Sequence, residues 1–408
     1  MTPDPTALPP APAPAGAIAP DDLPPWPQHD HTERAALDRV LAQGQWWRAA
    51  GTENEDFERE FAAYNGAPYA LAVTNGTAAL ELALRLHGIG RGDEVVVPAF
   101  TFISTSLAVQ NVGATPVPAD VDPATWCLTA DAVRAALTPA TRAIIPVHMA
   151  GHLVDMGSLA DLAAEHGLAI VQDAAHAQGA VWDGTPVGAF PTVACYSFQN
   201  GKLMTAGEGG ALTLPDEKTY EQAYLMHTCG RPRGDLTYQH MTAGSNYRVS
   251  EFTAAILRAQ LARLAEHTRI REQRAAQLDE LLADVPGVRV QARDPRLEVD
   301  PHYMYLLALD PAAGRAARDT LVEELTAAGV PACVNFPPVY RTRSFQAGPV
   351  PSTPAPELAR RCAVSEDLGE HGLWIHHRVL LARPHVVERV AEVIAALVAR
   401  VGPGAATR

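Results

Sequence analysis

LAIVQDAAHAQGA (168–180) opens as a strand with no polar face and ends on a carboxylate. Leu168, Ala169, Ile170 and Val171 are apolar without alternation, as in a strand covered on both sides. Asp173 stands at its carboxyl end, where a carboxylate needs a cation to offset its desolvation. The flanking sequence repeats the pattern. Further strands are predicted at Tyr69–Val73, Glu94–Val97, Thr115–Val121 and Ala143–Val147, with helices from Thr77 to about Leu86 and over Ser104–Asn111. Such alternation predicts a mostly parallel, doubly wound α/β sheet. Asn75 to Thr77, Phe100 to Ser104, His148 and Asp173 all follow strands, at the edge where open α/β sheets bind ligands.

The chain has 408 residues, and two of its 32 basic side chains are lysines, Lys202 and Lys218. Arginine stays protonated, whereas a lysine amine can lose its proton and attack a carbonyl. Lys218 lies in the polar turn Pro-Asp-Glu-Lys (215–218) and reads as solvated. Lys202 lies in SFQNGKLMTAGEGG (197–210), between an apolar strand and a glycine cluster, and is the residue expected to do the chemistry.

A net charge of −14 argues against nucleic acid, which requires clustered basic residues. No window has the apolar length of a bilayer span. Five cysteines without a CxxC pair read as free thiols of a reducing cytoplasm. Residues 1–27 carry ten prolines and are expected to form a disordered or polyproline-like extension. A large domain is expected over 28–262. A smaller α+β domain follows over 263–408, with a long helix from Glu251 to about Leu282 near the junction.

Several side chains have two readings. Thr77, after Gly76, can hold a phosphate at a helix N-terminus or merely cap the helix. Asp173 can face a pyridinium nitrogen or cap a turn. His176 can donate to a bound ring or be structural, and Phe102 can stack on a flat ring or belong to the core. Ser197 can join a phosphate's ligands. His376-His377 and His148/His152 lack zinc-type spacing, so no metal is expected.

NGT (75–77), DAAHAQGA (173–180) and SFQNGKLMTAGEGG (197–210) together resemble the DegT/StrS family of pyridoxal phosphate (PLP)-dependent aminotransferases. The resemblance implies a fold-type I architecture and a homodimer with shared active sites. It makes Lys202 the residue that condenses with the cofactor aldehyde, Asp173 the pyridinium partner and His176 the contact to the phenolate oxygen. Gly76, Thr77 and Ser197 become the phosphate cradle and Phe102 the stacking ring. Asn246, in AGSNYR (243–248), matches the position from which the partner subunit reaches the phosphate.

WPQHD (26–30), GQWWR (44–48), PVHMAG (146–151), CGRPR (229–233) and WIHHRVLLA (374–382) further resemble the branch that dehydrates and aromatises an amino-dehydroshikimate in antibiotic-type pathways. The double proline in VNFPPVYRTRSF (334–345) departs from that branch in a segment expected to line the substrate pocket. Tyr340, Arg341, His376 and Arg378 are the expected substrate residues, with Arg231 and Arg233 as further candidates for a carboxylate. The competing expectation is transamination of a keto-sugar or keto-cyclitol by glutamine or glutamate, for which His148, His152, His376 and Trp46 would suit hydroxyls. A non-catalytic binding role is disfavoured by the intact lysine, aspartate and cradle.

Overall fold

The structure is a computed structural model describing residues 17–401. Five strands come first, β1 (Tyr69–Val73), β2 (Glu94–Pro98), β3 (Thr115–Ala119), β4 (Thr141–Ile144) and β5 (Ala169–Asp173). A short hairpin, β6 (Val181–Trp182) and β7 (Thr185–Pro186), precedes β8 (Val193–Ser197) and β9 (Gly210–Leu214). The central sheet has the order β1-β9-β8-β5-β4-β2-β3. β9 runs antiparallel to both its neighbours; the other pairings are parallel.

Both faces of this sheet are covered, which is why its strands lack alternation. Val95, Val97 and Val171 pack to one side with Leu80 and Leu84 of the helix Gly76–Leu86. Val96, Ile144 and Ile170 pack to the other with Leu159 and Leu162 of the helix Met156–His166. At the β1 end, Phe57, Phe61, Tyr196 and Phe198 form edge-on aromatic pairs beneath the sheet.

The smaller unit contains β10 (Val288–Val290), β11 (Leu297–Val299), β12 (Met304–Leu309), β13 (Ala332–Val334) and β14 (Gly372–His376). Its antiparallel sheet has the order β10-β12-β14-β13, while β11 joins the β6–β7 hairpin. The helices Gly314–Ala327 and Pro384–Val401 cover it through Leu321, Leu325, Val390 and Ile394. The helix Glu251–Leu282 runs without a break from one unit to the other. Its Leu257 and Leu264 belong to the core under the central sheet, and its Ala275, Leu278 and Leu282 to the small core. The hand-over therefore falls between Leu264 and Ala275, where the buried positions are Thr268 and Arg271.

The expected extension divides. Residues 1–16 lie outside the described residues, whereas the chain from Ala17 to Leu23 is seated on the small unit. The amide of Ile18 donates to the Ala328 carbonyl at 2.8 Å, and Ile18 and Leu23 are buried in the small core. Asp22 pairs with Arg389 at 2.9 Å. Proline blocks helix and ladder, but it does not prevent two apolar side chains from docking.

Candidate active site

A cavity of about 860 Å³ opens along the carboxyl edge of the parallel strands. Gly76, Thr77, Phe102, Asp173, His176, Ser197, Lys202 and Asn246 all border it. They come from five separate stretches of sequence, brought together because β1, β5 and β8 end at the same level.

Gly210 sets the first part of this geometry. In the ladder it lies opposite both Val73 of β1 and Ser197 of β8. A Cβ on Gly210 would stand 2.4 Å from the carbonyl carbon of Asn75, so only glycine lets β9 sit between the two strand ends. Gly76 also lies close to Ser197, where an added Cβ would meet the serine Cβ at 2.9 Å. The Asn75 side chain accepts the Ala78 amide at 2.8 Å and caps the helix. Thr77 is thus not the cap, and its hydroxyl remains available to the cavity. The first helix amides, two hydroxyls and a glycine approach are the groups that an anion cradle requires.

Asp173 is 8% exposed. Its carboxylate accepts the Thr105 hydroxyl at 2.8 Å and the Ala175 amide at 3.2 Å. Burial pushes it above the ordinary carboxylate range, opposed by these hydrogen bonds and by Lys202. Burial pulls the Lys202 amine down to about 8, with Asp173 pulling the other way. His176 is held well below the usual imidazole range by burial, then by Lys202 and His148. Its Nδ1 accepts the Ala150 amide at 3.3 Å, so the neutral ring carries its proton on Nε2.

The expected substrate residues are not brought to this cavity. The Tyr340 hydroxyl donates to Glu366 at 2.5 Å, and Arg341 Nε contacts both oxygens of that carboxylate at 2.7 and 2.8 Å. The turn after Pro337-Pro338 aims both residues at the helix Ala363–His371; from the same segment, Phe336 reaches the cavity wall. His376 and Arg378 stand off the wall, the imidazole of His376 accepting the Arg378 amide. Arg231 pairs with Asp235, and Arg233 lies over Tyr220 and Tyr224. His148 and His152 are structural: His148 bonds Gln172 and the Val154 amide, and His152 bonds the Leu153 carbonyl and the Asp294 amide. Trp46 packs on Phe252. Asn246 stands exposed at the rim of its own chain's cavity.

Other residues enter unforeseen. Thr105 lies on the first turn of the helix Ser104–Asn111, its hydroxyl 3.3 Å from that of Thr101 in the loop before it. Tyr303 begins an apolar run and reads as core, yet its ring centroid lies 4.2 Å from Lys202 Nζ. Trp374 completes the wall.

The residues fit pyridoxal phosphate. A buried carboxylate bonded to a hydroxyl and an amide but, among the described residues, to no basic side chain suits a protonated pyridine nitrogen, the glycine-lined turn suits the phosphate, and the Lys202 amine borders the same cavity. The sequence matches the DegT/DnrJ/EryC1/StrS aminotransferase family over residues 27–397. It is 51% identical to a 3-amino-5-hydroxybenzoate synthase of Amycolatopsis mediterranei (strain S699), over 93% of this chain and 98% of that protein. It is 35% identical to an L-glutamine:2-deoxy-scyllo-inosose aminotransferase of Streptomyces kanamyceticus, over 90% of this chain and 92% of that protein. The crystal structure of a 3-amino-5-hydroxybenzoic acid synthase superposes with a TM-score of 0.91 at 51% identity, covering 93% of this chain and 99% of that one. That of S. venezuelae DesV in complex with a ketimine intermediate superposes at 0.80 and 35% identity, covering 92% and 94%. Among the described residues no helix is long and apolar enough to cross a membrane. The chain is a pyridoxal phosphate-dependent enzyme of the DegT/DnrJ/EryC1/StrS aminotransferase family.

Proposed function

We propose that the chain is a 3-amino-5-hydroxybenzoate synthase, removing water from an amino-dehydroshikimate to leave the aromatic amine in a natural-product pathway. The carrying observation is 51% identity over 93% of the chain to such a synthase, against 35% to the cyclitol aminotransferase. The cavity wall agrees with it. Phe336 and Trp374 offer flat apolar surface to a six-membered ring becoming planar.

Pyridoxal phosphate, when bound, supplies an aldehyde that condenses with amines and a protonated ring that accepts electrons. Asp173 would hold the positive charge on that ring, and His176 would donate its Nε2 proton to the ring oxygen. Gly76, Thr77 and Ser197 would hold the phosphate with Phe102 against the ring, and Asn246 would serve the phosphate of a partner subunit. The free Lys202 amine would take the proton from the substrate carbon that bears the amine. The adjacent carbon loses its hydroxyl, and the Lys202 ammonium returns the proton so that water departs. Moving one ring proton to the keto oxygen completes the aromatic ring, for a net loss of one water.

The acting form is a homodimer in the cytoplasm. Leu236, Tyr238 and Met241 are 91%, 72% and 67% exposed on the loop leading to Asn246, an apolar surface suited to a second copy. Among the described residues bordering the cavity, Lys202 is the sole lysine or arginine, so a substrate carboxylate calls for a cation from that copy. The five free cysteines suit a reducing compartment.

The cyclitol aminotransferases keep transamination in view, with glutamine or glutamate as amino donor. Purified holoenzyme offered an amino-dehydroshikimate, and separately a keto-cyclitol with glutamine, is read by product mass. Loss of one water to an aminohydroxybenzoate supports the synthase; an aminocyclitol alone, with the first substrate untouched, refutes it.

A further inference from the structure

We propose that Tyr303 is a positioning residue for Lys202, its ring face being the seat on which the freed lysine rests as an ammonium while it carries the proton. Among the described residues the amine makes no hydrogen bond or ion pair, and it lies 4.2 Å from the Tyr303 ring centroid. An ammonium is drawn to the negative face of an aromatic ring, whereas a neutral amine is nearly indifferent to it. The ring therefore favours the protonated lysine at one place in a site whose burial otherwise disfavours it.

The seat is firmly held. The Tyr303 ring stacks on His176 with centroids 4.2 Å apart and planes at 23°. The Tyr303 amide donates to the Ala150 carbonyl at 2.7 Å, and the Ala150 amide donates to His176 Nδ1. Ala150 is thus the common anchor of both rings, and it holds φ of 60°, a conformation that costs a non-glycine residue energy and is kept by its surroundings. His377, 6.0 Å away at 35°, closes a third side and also contacts the Gly201 carbonyl next to Lys202.

The titratable groups coupled to the amine are Asp173 at the end of β5 and His176 beyond it, and Glu81, Glu208 and Tyr247 border the same cavity. Asp173 already has a task, because a protonated cofactor ring would occupy its charge. The π face is then the attraction in direct contact with a cation at Lys202, and this is the step that needs one. The inference rests on Lys202 being the proton carrier, not on which substrate is used.

The test uses the full-length apoenzyme, labelled with [ε-13C]lysine and titrated by NMR. Two lysines give two signals, and Lys218 serves as the internal control. Tyr303→Phe keeps the ring face and is expected to leave the Lys202 midpoint near the wild-type value of about 8. Tyr303→Leu is expected to lower it by about one pH unit, with Lys218 unmoved. A ring-fluorinated phenylalanine at 303 drains the negative face at nearly constant shape, and covers the case in which the leucine variant does not fold. It is expected to lower the midpoint relative to Tyr303→Phe. A midpoint unmoved by fluorination, or raised by it, overturns the proposal. If the midpoints move as expected but no amino-dehydroshikimate is consumed, the seat stands and the substrate reading fails.

Discussion

The indole Nε1 of Trp26 donates to the carbonyl of Asn200 at 2.9 Å, tying the N-terminal segment to the turn that carries Lys202. The same indole meets the His377 ring edge-on, with centroids 4.4 Å apart, and His377 Nε2 lies 3.2 Å from the Gly201 carbonyl. Two aromatic side chains therefore grip consecutive carbonyls just before the lysine. Trp26→Phe keeps the edge contact and removes the donor. It should cost about 1 kcal/mol in denaturant unfolding. A lysine misplaced by a fraction of an ångström should lower kcat by about tenfold.

Lys202 should govern the pH dependence of cofactor uptake. Its pKa in the fold is lowered from the model-compound value of 10.5 to about 8. The reactive amine thus gains population as pH rises through about 8 and is saturated above it. The rate at which apoenzyme acquires the bound-cofactor absorbance should rise and level off across that range. A lysine at its ordinary value would keep accelerating toward pH 10. The same shift makes the neutral amine favoured by folding. Stability of the apoenzyme from this group rises with pH between about 8 and 10.5 and is absent below 8.

Thr105 supports the charged form of Asp173 through its 2.8 Å hydrogen bond. Thr105→Val removes that donor at nearly constant volume. Affinity for pyridoxal phosphate, read by fluorescence titration of the apoenzyme, should fall by roughly tenfold. Asp173→Asn should cost far more, because the cofactor ring then loses its anionic partner altogether.

Gly210→Ala tests the strand geometry behind the phosphate cradle. The added methyl would meet the Asn75 backbone at 2.4 Å, and no flexible side chain is there to yield. Destabilisation of about 1–3 kcal/mol is expected by thermal unfolding, together with weaker phosphate binding.

Arg341 should prove dispensable for turnover. It is paired with Glu366 at an exposed site away from the cavity. Arg341→Ala should change kcat/KM by less than about twofold, since exposed ion pairs contribute at most ~1 kcal/mol.

That Asp173 and Lys202 would border one cavity was legible because both residues break local expectation. A carboxylate ending an apolar strand and a lysine in a chain of arginines both ask for a reason. The parallel strands were legible for the same cause, an absence of polar faces. Tyr303 broke no pattern: an aromatic opening an apolar strand is what a core supplies, and only the fold turns it toward Lys202. Arg341 misled because its partner, Glu366, is 25 residues away on a helix, and sequence spacing does not reveal such a pairing. Trp26 was hidden by its proline-rich setting, which argues for disorder until Ile18 and Leu23 find a core to enter.

The most direct measurement is borohydride reduction of the pyridoxal phosphate-loaded enzyme followed by peptide mapping. A stable phosphopyridoxyl label on Lys202, with Lys218 unmodified, is the expected result. A label confined to Lys218, or none on a fully loaded enzyme, would contradict the assignment of the catalytic amine.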